Sequence, residues 1–331
     1  MKAKYREKLP QMSADVFLTD GGLETSLIYL DGLELPCFAA FDLLKNEAGR
    51  AALERYFRAH AGIARERGVG FVLESATWRA NADWGAKIGY SREAVIQANR
   101  AAIGMLSVLR EELETSEAPM PISGCIGPRG DGYKVKARMT EDEAEAYHAL
   151  QVRVFAEEGA DLVSAITMTY AEEAIGVVRA AQAAGMPVVV SFTTETDGRL
   201  PSGQALGEAI AQVDAATEAA PVYYMINCAH PTHFTDALAG VNGWAGRIRG
   251  VRANASMQSH AELDTATALD AGDPEDLAAR CAALRERLPN LNVFGGCCGT
   301  DHRHIAALAE ACAGGRKLRC EGRQAEPAEG E

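Results

Sequence analysis

Eight short runs of β-branched and other apolar residues alternate along this chain with longer, alanine-rich amphipathic segments. Such alternation is typical of strand–helix units around a parallel sheet, because each helix returns the chain to the edge where the next strand begins. The pattern predicts an α/β fold, a single-domain (β/α)8 TIM barrel, which typically needs about 250 residues plus insertions. In chain order the predicted strands are 16–19, 69–73, 121–124, 162–166, 187–191, 222–226, 247–251 and 291–294.

Domain boundaries follow from the same pattern. We expect an N-terminal extension over residues 1–15, the barrel over 16–313 and a C-terminal tail over 314–331. The tail has little apolar content, so it is expected to be solvated. Within the barrel, Thr140 should begin a helix with a capping box, and Gly68 stands where a helix should end before a strand.

Charge and hydropathy limit the classes of partner. The chain carries 33 basic and 46 acidic residues, a formal net charge of -13, which disfavours binding to nucleic acid or to anionic lipid. The first ten residues lack the apolar core of a secretory signal, and no segment approaches the ~20 apolar residues that cross a bilayer. We therefore expect a cytoplasmic protein with no nucleic-acid or membrane partner.

Three of the eight cysteines stand at the ends of predicted strands. Cys228 follows the sixth strand, and the adjacent pair Cys297 and Cys298 follows the eighth. The carboxyl ends of barrel strands converge on one face, and catalytic zinc sites commonly use three protein ligands and leave a fourth position open. The positions predict an open Zn²⁺ site on these three thiols, and the reducing compartment disfavours the alternative of a disulfide between the adjacent pair. The other five are expected to be ordinary core or surface cysteines: Cys37, Cys125, Cys281, Cys312 and Cys320.

The motifs at three strand ends resemble those of the zinc-dependent homocysteine S-methyltransferase family. They are Thr19–Gly22 after the first strand, Ile226–Cys228 after the sixth and Gly295–Thr300 after the eighth, and the resemblance extends roughly from residue 16 to 313. It implies a barrel in which the three cysteines bind Zn²⁺ and the sulfur of a thiol acceptor completes the coordination sphere. Coordination deprotonates a thiol, and the thiolate then accepts the methyl group, so no further catalytic side chain is implied.

The same resemblance implies contacts to the amino-acid end of the acceptor. The carboxylate of Asp20 would bind the ammonium group, and the backbone of Gly21 and Gly22 would bind the carboxylate, although Asp-Gly is also a common turn. Trp78 is expected either to cover a cationic methyl donor or to pack beneath a loop. Thr77, Asn227 and Asn254 complete the predicted substrate-binding residues, whereas His230 and His233 are expected to lie outside the metal site.

Three positions depart from the family pattern. Ile166 occupies the position where related enzymes usually have a glutamate for the ammonium group, Glu24 replaces a more usual glycine, and Arg252 begins a motif that commonly reads Tyr-Pro-Asn. We hypothesise that Glu24 or Glu74 replaces the missing carboxylate, or that the acceptor is not homocysteine.

The predicted function is zinc-dependent methyl transfer from a sulfonium donor, S-methylmethionine or S-adenosylmethionine, to the thiolate of homocysteine, giving methionine. Sulfonium donors are favoured because the chain has no cobalamin-binding signature and no long C-terminal extension like that of betaine-using relatives. One alternative is the same fold with another thiol acceptor or a betaine-type donor. Others are a phosphate-binding barrel lyase or isomerase, with Gly295 and Gly296 in its phosphate loop, and a metal carrier without catalysis.

Overall fold

All the strands in the described part of the chain pair in parallel and close into a barrel. The computed structural model describes residues 2–238 and 243–313. The strands are β1 Phe17–Leu18, β2 Gly70–Phe71, β3 Leu73–Glu74, β4 Ile122–Ile126, β5 Leu162–Met168, β6 Val188–Thr193, β7 Tyr223–Asn227, β8 Ile248–Ala253 and β9 Val293–Gly296. Their order around the sheet is β2-β1-β9-β8-β7-β6-β5-β4-β3. The predicted α/β barrel is therefore confirmed.

The second predicted run forms two short strands, and this is where the barrel closes. β2 pairs with β1, whereas β3 pairs with β4, and Val72 lies between them. The amide of Val72 donates to the carbonyl of Leu18 at 2.9 Å, and that of Leu73 donates to Pro121 at 2.9 Å. The amides of residues 70–73 thus point alternately to the β1 side and to the β4 side, so the β2–β3 segment lies between β1 and β4 and fills one of eight strand positions.

Helices separate the strands and pack around the outside of the barrel. Thr140 forms the predicted capping box with Glu143, and Gly68 ends a helix in the left-handed conformation at φ 61°. None of the helices in residues 2–238 and 243–313 is long and apolar enough to cross a membrane. The helices are α1 Leu23–Tyr29, α2 Glu47–Arg67, α3 Ala82–Lys87, α4 Arg92–Leu113, α5 Glu141–Glu157, α6 Ala171–Ala183, α7 Leu206–Thr217, α8 Pro231–Phe234, α9 His260–Leu263, α10 Pro274–Ala283 and α11 His302–Ala313.

The residues before β1 pack against the N-terminal end of the barrel. Leu9 and Gln11 are buried, and the side chain of Asp161, just before β5, accepts hydrogen bonds from the amides of Lys4 and Tyr5. Leu9 belongs to the apolar cluster that fills the barrel interior. The predicted C-terminal tail, residues 314–331 with Cys320, lies outside the described residues.

Candidate metal centre and substrate pocket

The three predicted cysteine ligands come together at the C-terminal face of the barrel. Cys228 directly follows β7, and Cys297 and Cys298 directly follow β9. Their sulfur atoms all lie within 4.8 Å of one another, and the Sγ atoms of Cys228 and Cys298 are 3.6 Å apart. Cys228 adopts the left-handed conformation, at φ 56°, which turns the chain sharply at the strand end.

This geometry suits a single metal ion with tetrahedral coordination. Zinc binds thiolate sulfur at about 2.3 Å, so two ligands of one tetrahedral ion lie about 3.8 Å apart, close to the distance between Cys228 and Cys298. All three cysteines are free thiols. Hydrogen bonding from Cys228 and Cys298 holds the pKa of the Cys297 thiol well below its usual range, so the cluster favours one anionic sulfur.

Gly22 allows the first βα loop to approach the cysteine loop. A Cβ atom at this position would lie 2.5 Å from the carbonyl oxygen of Cys297 and 2.4 Å from Oγ1 of Thr25. The amide of Gly22 donates to the carbonyl of Thr300 at 3.0 Å and to its Oγ1 at 3.1 Å. Because this amide is already hydrogen-bonded, a substrate carboxylate could accept from it only by displacing Thr300.

Tyr133 and His260, which the sequence analysis missed, support the cluster. The hydroxyl of Tyr133 lies 3.0 Å from Sγ of Cys228 and 3.4 Å from Sγ of Cys298. Its ring stacks on the His260 imidazole with 4.0 Å between centroids, and Nε2 of His260 donates to the carbonyl of Cys228 at 2.6 Å. Tyr133 lies in the loop after β4 and His260 is the first residue of α9, so neither stands directly at a strand end, where the sequence analysis sought functional residues.

Two of the predicted substrate-binding residues lie in the wall behind the cysteines. Asn227 donates to Oγ1 of Thr167 at 2.8 Å, and its own Oδ1 accepts from Ser191 at 2.6 Å. Asn254 donates to the carbonyl of Cys228 at 3.1 Å. These bonds fix the backbone around the cluster.

Thr77 is fully buried and donates to the carbonyl of Cys125 at 2.7 Å.

The two histidines near Cys228 lie outside the cluster, as expected. His230 contacts Thr232 through Nδ1, and His233 contacts the carbonyl of Met257 through Nε2. Burial lowers the pKa of His230 to about 4.

A cavity of about 510 Å³ opens over the three thiols. It contains most of the predicted substrate residues and several that the sequence analysis did not assign. Ile166 lines it, so the wall is apolar where related enzymes usually have a glutamate. The predicted residues in its lining are Asp20, Gly21, Gly22, Glu24, Glu74 and Trp78, and the unassigned ones include Arg79, Asp131, Tyr133 and Arg252.

A buried arginine ties two of the predicted carboxylates together. Nη2 of Arg252 lies 2.6 Å from Oδ1 of Asp20, and Nη1 lies 3.2 Å from Oε2 of Glu74. Burial opposes the charge of Arg252, but Asp20 and Glu74 raise its pKa above the usual range. Burial raises the pKa of Glu74 to about 6. An ammonium group would have to share either carboxylate with Arg252.

Of the two glutamates considered as replacements for the missing carboxylate, Glu24 is the one that this arginine does not engage. It lies in the first turn of α1 and forms no ion pair with any described residue. Burial raises its pKa to about 7, with the negative charges of Cys297 and Asp20 acting in the same direction. The geometry therefore favours Glu24 over Glu74 as a carboxylate available to a cationic ligand.

Trp78 already holds a protein cation against its ring. The guanidinium carbon of Arg79 lies 4.0 Å from the Trp78 ring centroid and 3.7 Å from that of Trp84. Trp78 also donates from Nε1 to the carbonyl of Ile166 at 3.2 Å. Trp78 lines the cavity, and Arg79 covers one part of its ring.

The sequence matches the homocysteine S-methyltransferase family over residues 17–312. Among solved structures, the fold is similar to that of the homocysteine methyltransferase MmuM from Escherichia coli. Its oxidized form has 19% sequence identity and a TM-score of 0.72, and the match covers 92% of this chain and 99% of that chain. The metallated form has 19% sequence identity and a TM-score of 0.70, and the match covers 92% of this chain and 99% of that chain. The apo form has 19% sequence identity and a TM-score of 0.63, with 92% of this chain and 98% of that chain covered.

Proposed function

Because this chain belongs to the homocysteine S-methyltransferase family and is a methyltransferase, we propose that it transfers a methyl group from a sulfonium donor to a thiol in a zinc-dependent reaction. Homocysteine, giving methionine, is the favoured acceptor, and S-methylmethionine and S-adenosylmethionine are the favoured donors. The observation that carries the proposal is the group of three free thiols at the floor of a cavity. We expect the reaction to take place in the cytoplasm, where thiols stay reduced.

Cys228, Cys297 and Cys298 would hold the Zn²⁺ ion. When bound, the ion supplies a positive charge that favours the thiolate form of the acceptor at neutral pH. The hydrogen bonds from His260 and Asn254 to the carbonyl of Cys228 hold that ligand in place. The cavity would position the donor methyl group in line with the acceptor sulfur, and this proximity contributes much of the rate acceleration.

Glu24 is our candidate for binding the ammonium group of the acceptor. Its carboxylate lies in the cavity without an ion-pair partner, whereas Glu74 and Asp20 both pair with Arg252. Glu24→Gln should raise the KM for homocysteine about tenfold, with a smaller effect from Glu74→Gln. Equal effects of the two substitutions would contradict this assignment.

Another thiol acceptor is the second candidate, because the cavity wall is apolar at Ile166 and the carboxylates of Asp20 and Glu74 are already paired with Arg252. A betaine-type donor is tested alongside the sulfonium donors in the assay described below. The phosphate-binding alternative is disfavoured because the amides of Gly296 and Cys297 already donate to the carbonyls of Asp20 and Ala253, at 3.0 and 2.8 Å.

The test combines zinc content with methyl transfer. Zinc is measured by elemental analysis in the purified protein, in Cys298→Ala and in Cys281→Ala, a control that removes a buried thiol from α10. Homocysteine is then assayed with S-methylmethionine, S-adenosylmethionine and betaine. We expect one zinc per chain, lost only in Cys298→Ala, and methionine from a sulfonium donor. Zinc without methionine would reject homocysteine as the acceptor, and no zinc in reduced protein would reject the metal proposal.

A further inference from the structure

Arg79 is a buried guanidinium that has no carboxylate partner among the described residues. Its side chain is only 7% exposed, and its Nη1 donates to the carbonyl of Gly130 at 2.8 Å. Its Nε is buried and has no hydrogen-bond partner within residues 2–238 and 243–313. Asp131 and Glu24 favour its charge through space, but neither forms an ion pair with it. An unpaired buried charge is costly, so this arrangement needs an explanation.

Two tryptophan rings contact this guanidinium without accepting its N–H groups. Trp78 and Trp84 contact it by cation–π interactions, which leave the N–H groups at its edge still in need of acceptors. Burial lowers the pKa of Arg79 to about 10, so the group remains charged at neutral pH. The two rings therefore hold the guanidinium in place, and its Nε–H is left free for an acceptor.

Two other donors of the cavity are already used. The amide of Gly22 donates to Thr300, and Arg252 donates to Asp20, Glu74 and the carbonyl of Gly296. Arg79 lines the same cavity as the three cysteines. A carboxylate accepts two parallel N–H bonds from an arginine fork, a geometry that lysine cannot reproduce.

We propose that Arg79 binds the carboxylate of a substrate and determines specificity for carboxylate-bearing thiols or sulfonium compounds. This inference rests on the proposed methyl transfer and extends it, since it assigns recognition of the anionic group to a side chain rather than to backbone amides. Together with Glu24 it would make the cavity selective for a zwitterion. The carboxylate could belong to the acceptor or to the donor, and binding experiments separate the two.

The test is calorimetric binding to the zinc-loaded full chain, which does not depend on turnover. In the acceptor arm, 4-mercaptobutanoate retains the carboxylate of homocysteine without its ammonium group, and 3-aminopropane-1-thiol retains the ammonium group without the carboxylate. In the donor arm, dimethylsulfoniopropionate is compared with trimethylsulfonium, which has no carboxylate. Each probe is titrated into the wild type, Arg79→Met, Arg79→Lys and Arg129→Met.

Arg129→Met is the matched control, because it removes the same charge from an exposed side chain outside the cavity lining. We expect Arg79→Met to weaken the carboxylate-bearing probe of one arm by about ten- to hundredfold, and its carboxylate-free partner less than about twofold. Arg79→Lys, which keeps the charge but loses the fork, should give an intermediate loss and serves if Arg79→Met does not fold.

The arm that responds identifies whether acceptor or donor carries the carboxylate. Equal weakening of both probes in each arm, or no change in either arm, would overturn the proposal. A wild type that transfers no methyl group but shows the Arg79-dependent preference would reject the proposed reaction while retaining the binding site. Methyl transfer without that preference would reject the Arg79 binding site while retaining the proposed reaction.

Discussion

Nη2 of Arg252 lies 2.6 Å from Oδ1 of Asp20, and both side chains are buried at the wall of the substrate cavity. Asp20 also accepts a hydrogen bond from the hydroxyl of Tyr56 at 3.1 Å. The same arginine reaches Glu74. One cation thus joins the ends of β3 and β8 to Asp20, two residues after β1, and it pairs with two carboxylates that would otherwise be available to a substrate ammonium group.

Replacing Arg252 should destabilise the barrel. Arg252→Met leaves Asp20 and Glu74 buried without their counterion, so we expect the free energy of unfolding to fall by about 3–5 kcal/mol. Urea denaturation followed by circular dichroism measures the loss. Arg58→Met, which breaks an exposed pair with Glu112, should cost less than about 1 kcal/mol. A loss at Arg252 as small as that of the control would contradict the role assigned to the buried pair.

Asp161 should anchor the N-terminal segment to the barrel. Its fully buried carboxylate accepts from Nη1 of Arg110 at 2.8 Å, from the amide of Ile122 at 2.8 Å and from the amides of Lys4 and Tyr5 at 2.7 and 2.6 Å. Asp161→Asn removes the charge, so we expect the free energy of unfolding to fall by about 3–5 kcal/mol and the first ten residues to be cut faster by protease.

The matched control is Asp83→Asn, because the pair between Asp83 and Arg129 is exposed. It should change stability by less than about 1 kcal/mol and leave the cleavage rate unchanged. Unchanged cleavage in Asp161→Asn would show that other contacts hold the segment in place.

The barrel and the thiol cluster could be predicted because their signals are local. Each strand is a short apolar run, and parallel strands around a barrel end at the same face, so Cys228, Cys297 and Cys298 had to converge once the runs were recognised. The division of the second run into β2 and β3 was not predictable, because it depends on how this segment aligns with β1 on one side and β4 on the other.

The charged part of the cavity was harder to predict. Arg252 was noted as a departure from the family pattern, but its pairing with Asp20 joins residues that are 232 positions apart. Arg79 and Tyr133 reach the cavity from positions after the ends of β3 and β4, where the path of a loop rather than a periodic pattern places the side chain. Such contacts depend on long-range packing, which hydrophobic periodicity does not encode.

Tyr133 should tune metal affinity through its hydroxyl group. Tyr133→Phe retains a ring that can stack on His260 but removes the oxygen that lies 3.0 Å from Sγ of Cys228. Groups that hydrogen-bond to metal ligands typically contribute tenfold or more to affinity, so we expect zinc binding about tenfold weaker with the same stoichiometry. Competition with a chromogenic chelator measures this, and Tyr90→Phe, remote from the cavity, should match the wild type. Equal affinities would exclude the role.

Glu24 should make stability depend on pH in a defined direction. Burial raises its pKa from 4.5 to about 7, so the fold favours the neutral form. The stabilisation is fully present below the unfolded-state value of 4.5 and is lost as pH rises through about 7. Glu24→Gln stays neutral at every pH. Relative to this variant, the wild type should lose on the order of 2 kcal/mol between pH 4 and pH 8.

The measurement is urea denaturation of both proteins across this range in the absence of substrate. Because the comparison is between two chains that differ only at Glu24, the titration of all other groups cancels where they do not interact with it. Glu111→Gln on α4, where the side chain is exposed, should follow the wild type at every pH. Parallel curves for the wild type and Glu24→Gln would mean that the carboxylate is solvated in the folded protein, which would also remove the basis for assigning it to the substrate ammonium group.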